Sequence, residues 1–135
     1  MNQLYDYPVK ILLAFEMAIS GKTGFLNWLL DNGYPELAAL ANAIRGDVNA
    51  INWLSANGFR HYAAFDSASV DDDKAMSWLE RHNFGFLAIL AKASRGNENA
   101  LKWLKENNLE VFIRIAFQIR TFTEGQTFDY HRMPF

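Results

Sequence analysis

The chain has 135 residues, 50% of them hydrophobic, which is typical of one globular domain and excludes a disordered segment. Thirteen Lys and Arg against fifteen Asp and Glu leave a formal charge of −2, so there is no basic surplus for nucleic-acid binding. With no Cys, the chain has neither disulfides nor thiolate metal sites, which fits a reducing compartment. The longest early apolar stretch, residues 11–15, is too short for a signal segment or a membrane span. We therefore expect a cytoplasmic protein that binds neither nucleic acid nor membrane.

An internal repeat organises the chain. Trp-Leu pairs recur every 25 residues, at Trp28, Trp53, Trp78 and Trp103. In this register the units run over residues 10–34, 35–59, 60–84 and 85–109, followed by a half unit at 110–121 and an aromatic tail at 122–135. No insertion is needed, so residues 1–135 are predicted to form a single helical-repeat domain.

Each unit is predicted to contain two helices. In the second unit, residues 37–44 follow the helical period and are apolar nearly all round, which is typical of an inner helix packed on several sides. Gly46 breaks this helix, and Asp47 is suited to cap the N-terminus of the next one. That second helix carries an amphipathic stripe and ends at Asn57-Gly58-Phe59, where a left-handed cap residue is expected.

These features predict an all-α fold, specifically an α-solenoid. Helix pairs that repeat at a constant spacing stack side by side, and each buries its apolar faces against its neighbours. We expect a right-handed α-α superhelix of about four and a half helix-turn-helix repeats. The four Trp side chains, each beside a Leu on an apolar stripe, are predicted to pack in the core, in preference to forming an aromatic ladder for a sugar or a base.

The second unit resembles the helical part of an ankyrin repeat. The matching segments are Leu37-Ala38-Ala39, Arg45-Gly46-Asp47 and Trp53-Leu54-Ser55-Ala56-Asn57-Gly58-Phe59. The resemblance covers about residues 10–120 and implies stacked helix pairs used for protein recognition. The 25-residue unit lacks the β-hairpin and the Thr-Pro-Leu-His opening of that family, so no individual functional residue is carried over.

A partner-binding face is predicted from the least uniform positions of the inner helices. A curved solenoid places such positions on its concave side, and arginines at helix ends offer bidentate contacts to carboxylates. Alternatively, these arginines only complement the helix dipole. The predicted partner-binding residues are Met17, Asn42, Arg45, Ser67, Lys92, Arg95, Arg114 and Phe117.

Metal-binding patterns are weak. The run Asp71-Asp72-Asp73 lacks the spaced ligands and closing Glu of a calcium loop and is interpreted as a solvated turn with an N-cap. His61, His82 and His131 lie far apart, without the spacing of paired metal ligands. We predict no metal and no cofactor.

Catalytic patterns are equally weak. Ser67, His61 and Asp66 are not accompanied by a nucleophile elbow or an oxyanion motif, so no catalytic residue is predicted. Asp66 does stand where Ala41 and Ala91 stand, and Glu16 fills the same slot in the first unit. A carboxylate tolerated at a partly exposed position and a binding or ion-pairing role both remain open.

The expected function is a protein-protein interaction or scaffold module that binds a partner through its concave inner-helix face. The alternative is a small-molecule-binding or enzymatic domain with a site near Asp66 and His61. The aromatic tail is interpreted either as a lid over the last repeat or as a segment that docks on another chain. The identity of the partner and the oligomeric state are left open.

Overall fold

The computed structural model describes residues 3–126, which form nine α-helices after a short 3₁₀ helix at Leu4–Asp6. No β-strand lies in this part of the chain, and none of its helices is long and apolar enough to cross a membrane. The helices are α1 (Val9–Ile19), α2 (Thr23–Asp31), α3 (Pro35–Ile44), α4 (Val48–Ala56), α5 (Arg60–Ser69), α6 (Asp73–Arg81), α7 (Gly85–Ser94), α8 (Glu98–Glu106) and α9 (Glu110–Gln126).

The odd-numbered helices are the inner helices, and they form a closed ring. Each packs against the next in chain order from α1 to α9, and α9 then packs against α1. The all-α prediction is confirmed. An open solenoid would leave α1 and α9 at opposite ends of a stack, so the predicted open stack with its concave face does not describe residues 3–126.

Three layers of buried side chains fill the ring, and each inner helix contributes one residue to each layer. Their spacing of three to four residues places them on one face of each helix. The middle layer, which is completely buried, consists of Phe15, Leu40, Phe65, Leu90 and Ile115. The flanking layers consist of Leu12, Leu37, Tyr62, Leu87 and Phe112 on one side and Ile19, Ile44, Ser69, Ser94 and Ile119 on the other.

The even-numbered helices are the outer helices. α2, α4, α6 and α8 each pack against two successive inner helices and so fill the groove between them. The Leu of every Trp-Leu pair is completely buried in this contact. The prediction that the Trp side chains are core residues is wrong for Trp53 and Trp103, whose residues are 37% and 39% exposed. Trp53 lies at the surface, stacked on Phe59 with the ring centroids 6.1 Å apart.

The turns have the predicted chemistry. Gly46 (φ 96°) and Gly58 (φ 88°) occupy the left-handed region after α3 and α4. The amide of Phe59 donates to the carbonyl of Leu54 at 2.8 Å, as expected for a Schellman-type stop. Asp47 caps α4 by accepting from the amide of Asn49 at 2.9 Å, which confirms the predicted N-cap.

The half unit continues further than predicted. The sequence predicts a half unit at 110–121, but α9 extends without a break to Gln126. The reason is local, because Thr121 stands where Gly46 and Gly96 end the other inner helices with a positive φ. Phe122 therefore belongs to α9, and its ring lies 4.9 Å from the guanidinium carbon of Arg45. The predicted tail beyond it, residues 127–135, lies outside the described residues.

The segment before α1 covers the end of the ring where the inner helices begin. Leu4 is buried, and the ring of Tyr5 meets that of Phe86 edge-on at 5.0 Å. The hydroxyl of Tyr7 donates to Oε1 of Glu36 at 3.1 Å, and burial raises the pKa of Tyr7 well above its usual range. This segment therefore belongs to the folded domain.

The turn after α3 gives a direct test of the fold. Gly46→Ala forces a side chain into the left-handed region and should lower the free energy of unfolding by about 1–2 kcal/mol. Gly24→Ala is the matched control, because Gly24 lies inside α2 with open space at its Cβ position. That variant should be neutral or more stable by roughly 0.5 kcal/mol. Urea unfolding measures both, and equal effects would contradict the assigned turn.

Candidate functional site

An open groove runs along the outward face of α1, bounded by α2 on one side and by Arg114 of α9 on the other, and we call it the groove between α9 and α1. Its volume is about 540 Å³, and α1, α2 and α9 line it. Most of its lining is apolar, and Leu13 and Phe25 are respectively 37% and 40% exposed. Its main lining residues are Leu13, Ala14 and Met17 of α1, Phe25 and Trp28 of α2, and Arg114 of α9.

A buried carboxylate joins the two helices that form the groove. Glu16 of α1 is only 3% exposed. Nε of Arg114 donates to its Oε1 at 2.8 Å, and Nε2 of Gln118 donates to its Oε2 at 3.3 Å. Because a buried carboxylate is costly without such partners, these contacts specify the pairing of α9 with α1. We call these three residues the clasp. They support the ion-pairing interpretation of the carboxylate at position 16.

The clasp differs from the corresponding contacts elsewhere in the ring. The other inner helices carry mostly small residues at the positions that correspond to the clasp, and small residues let helix backbones approach closely. Alanine is the commonest residue at the equivalent positions: Ala41 and Ala91 for Glu16, Ala39 and Ala64 for Arg114, and Ala43, Ala68 and Ala93 for Gln118. Each departure is visible in the sequence, but only the closed ring brings all three together.

Three of the predicted partner-binding residues lie at or near the groove. Met17 and Arg114 line it, and Phe117 follows Arg114 by almost one turn of α9 and is 66% exposed. Arg114 is not free to bind a partner's carboxylate through Nε, because that atom is bonded to Glu16.

Five of the predicted partner-binding residues occupy one equivalent position on successive inner helices, and we call them the mixed row: Met17, Asn42, Ser67, Lys92 and Phe117. The members other than Met17 and Phe117 are dispersed around the ring. Asn42, Ser67 and Lys92 lie half-buried on α3, α5 and α7. Each follows its ring-centre residue by two positions, about 200° around the helix, so it points away from the ring axis. Nζ of Lys92 also lies 3.3 Å from Oε1 of Glu80 on α6. Partner contacts by these residues stay a prediction.

Two predicted arginines are engaged within the chain. Nη1 of Arg45 donates to the carbonyl of Ile19 at 2.9 Å, and Nε of Arg95 donates to the carbonyl of Ala68 at 2.7 Å. Each arginine thus bonds the last turn of the preceding inner helix, where a positive charge also complements the dipole. This agrees with the dipole alternative, except that the helix end belongs to the neighbouring unit.

Two apolar residues of the groove were missed in the sequence. Leu13 stands where the other units have Ala38, Ala63 and Ala88, and Phe25 stands where they have Ala50, Ala75 and Ala100. A large apolar residue in place of a repeated alanine is the signal that points to this surface. The alanines at the position of Leu13 are buried, whereas Leu13 is exposed.

The alternative site near Asp66 and His61 is divided between two sides of α5. The His61 ring is stacked on Phe84 at 4.6 Å and lies 4.5 Å from the ring of Tyr62. Asp66 follows five residues later, about 140° around the helix. His61 is therefore positioned as a packing residue in an aromatic cluster.

No group of three or more His, Asp and Glu side chains within residues 3–126 is arranged to hold a metal ion. In the acidic run, Asp72 caps α6, which confirms the predicted N-cap. Its neighbours Asp71 and Asp73 lie 3.5 and 3.3 Å from the guanidinium of Arg95. His131 lies outside the described residues.

Comparisons with protein families, with curated proteins and with solved structures give no match for this chain.

The clasp makes a testable contribution to stability. Arg114→Ala leaves the buried carboxylate of Glu16 without its cation and should lower the free energy of unfolding by about 1–2 kcal/mol. Glu16→Ala combined with Arg114→Ala produces the alanine pair that α1 and α3 have at the equivalent positions, Ala14 and Ala41, and should recover at least about half of that loss. Lys102→Ala, which removes an exposed pair with Glu106, is the control and should change little. If the double variant loses as much stability as the sum of the losses in Glu16→Ala and in Arg114→Ala, the two side chains are not coupled and the prediction is wrong.

Burial of His61 predicts a pH effect on stability. Desolvation lowers the pKa of His61 in the folded protein below its ordinary value of 6.5. The unfolded chain therefore binds more protons just below pH 6.5, and stability falls as the pH drops from 6.5 toward the folded-state pKa. His61→Phe keeps an aromatic ring and should weaken this dependence. Urea unfolding between pH 7.5 and 5.5 measures it, and an unchanged slope in the variant would contradict the assignment.

Proposed function

We propose that this chain is a protein-interaction module whose partner binds in the groove between α9 and α1. The observation that carries the proposal is the exposed apolar surface of this groove, centred on Leu13 and Phe25. Contiguous exposed apolar surface rimmed by polar groups is typical of interaction sites. Lys10 and Arg114 supply such a rim.

This location revises the predicted binding face. The mixed row on the inner helices is spread around the ring, and Arg45 and Arg95 are bonded to neighbouring helix ends. Met17 and Phe117 remain the members best placed to meet a partner, because one lines the groove and the other is exposed on its α9 side. The ankyrin-like helix pairs and the Cys-free composition support a recognition role in the cytoplasm.

Affinity capture from native cells with paired variants tests the proposal. Leu13→Arg combined with Phe25→Arg places charge in the groove at two exposed positions, and should abolish capture of the partner without lowering the thermal midpoint. The matched control replaces Asn42, Ser67 and Lys92 with alanine and should retain the partner. If the groove variant still captures the partner and the control variant does not, the binding site lies on the mixed row and the proposal is wrong.

A further inference from the structure

The groove between α9 and α1 is one of five grooves between neighbouring inner helices, and it differs from the other four. Those four are filled by α2, α4, α6 and α8, each packed on the two inner helices beside it. Within residues 3–126 no outer helix follows α9, because α9 continues straight to Gln126. The fifth groove therefore has the walls of an outer-helix site without an outer helix from the described part of the chain.

Side chains on α1 show the consequence. Leu13 is 37% exposed, whereas Ala38, at the same position of α3 and next to α2, is 1% exposed. Val9 is 59% exposed, whereas the residues at its position in the next three units, Tyr34, Phe59 and Phe84, stack on the Trp of the preceding outer helix. On the inner helices of the following units, an outer helix covers the surface that corresponds to this exposed apolar surface of α1.

The filled grooves define what this surface accepts. Each outer helix inserts one completely buried Leu, and in α4 and α8 an alanine four residues earlier is buried on the same face. The opposite face of these helices is polar and exposed. Phe25 of α2 stands where the other outer helices have alanine, and its side chain lines the fifth groove. It therefore leaves less room in the part of the groove next to α2. An occupant must therefore present small residues toward Phe25.

We propose that the groove binds an amphipathic α-helix of a partner protein that takes the place of a fifth outer helix. This inference rests on the proposed function and specifies the partner's binding segment. The segment carries a small residue followed four positions later by Leu, spans about nine residues like α4, and inserts its Leu beside Leu13. Lys10 lies at the end of the groove where the outer helices have their C-termini. Its charge favours the same direction for the partner helix, because cations stabilise helix C-termini.

The chain supplies its own probe. Residues 46–59, which contain α4 and both of its caps, can be made as an acetylated, amidated and fluorescein-labelled peptide. Anisotropy titration with the full chain should show saturable binding. Leu54→Asp in the peptide, or Leu13→Arg in the protein, should each weaken binding by at least about tenfold, the equivalent of roughly 1.4 kcal/mol. Lys102→Ala on α8 is the control protein and should bind like the wild type.

Other outcomes would overturn the inference. Binding that survives Leu13→Arg would mean that the peptide displaces α4 and does not occupy the open groove. A tenfold gain in affinity on changing Phe128 and Tyr130 to Asp would assign the groove to residues 127–135 of the same chain. A concentration-dependent dimer in sedimentation that Leu13→Arg abolishes would assign it to a second copy.

The test separates this inference from the proposed function. If the native partner is lost in the Leu13→Arg and Phe25→Arg variant while the peptide does not bind wild type, the groove is the site but the helical pattern is wrong. If the native partner is retained by that variant and the peptide does not bind, both are wrong. Peptide binding that depends on Leu13 supports the helical pattern.

Discussion

Burial of one apolar face by all five inner helices in a shared centre is the constraint on which the rest of the structure depends. Phe15, Leu40, Phe65, Leu90 and Ile115 meet there with no exposed surface. Every inner helix is therefore confined on one side by the ring and on its flanks by its two neighbours. Only the outward side remains, and the outer helices cover most of it.

The ring needs a specific final contact because its first and last helices come from opposite ends of the described chain. The other inner-helix pairs are held together by short turns and a shared outer helix as well as by packing. In the described part of the chain α9 and α1 share neither, and the clasp of Glu16, Arg114 and Gln118 joins them through directional, charge-assisted bonds. Such bonds also select register, because a shift of one residue along α9 would separate the buried carboxylate from its partners.

Within residues 3–126, the same closure leaves one apolar groove without an outer helix. A ring of five inner helices has five grooves, but four units supply only four outer helices. Large residues at alanine positions, Leu13 and Phe25, partly fill the remaining space but leave apolar surface exposed. The groove is a geometric consequence of repeat number combined with closure, and its chemistry matches that of the sites the outer helices occupy.

The sequence by itself determined the local structure of this protein. The 25-residue period, the Gly and Asn turns and the Asp47 and Asp72 caps predicted the helix pairs, because capping and turn preferences depend on a few adjacent residues. It also predicted an apolar stripe on the second helix of each unit, and the Leu of each Trp-Leu pair is buried, but core packing of the Trp side chains is wrong for Trp53 and Trp103. Met17, Arg114 and Phe117 were singled out, but for a concave face that the ring does not form.

Only the tertiary structure decided that the repeat closes. Closure depends on the angle that each helix pair adds, summed over all units, and no short segment of sequence contains that sum. Glu16 and Arg114 are 98 residues apart, so their pairing was invisible until α9 returned to α1. Closure of the ring also decides the exposure of Leu13. An apolar side chain at a repeated position is buried when a neighbouring helix packs on it and exposed when none does.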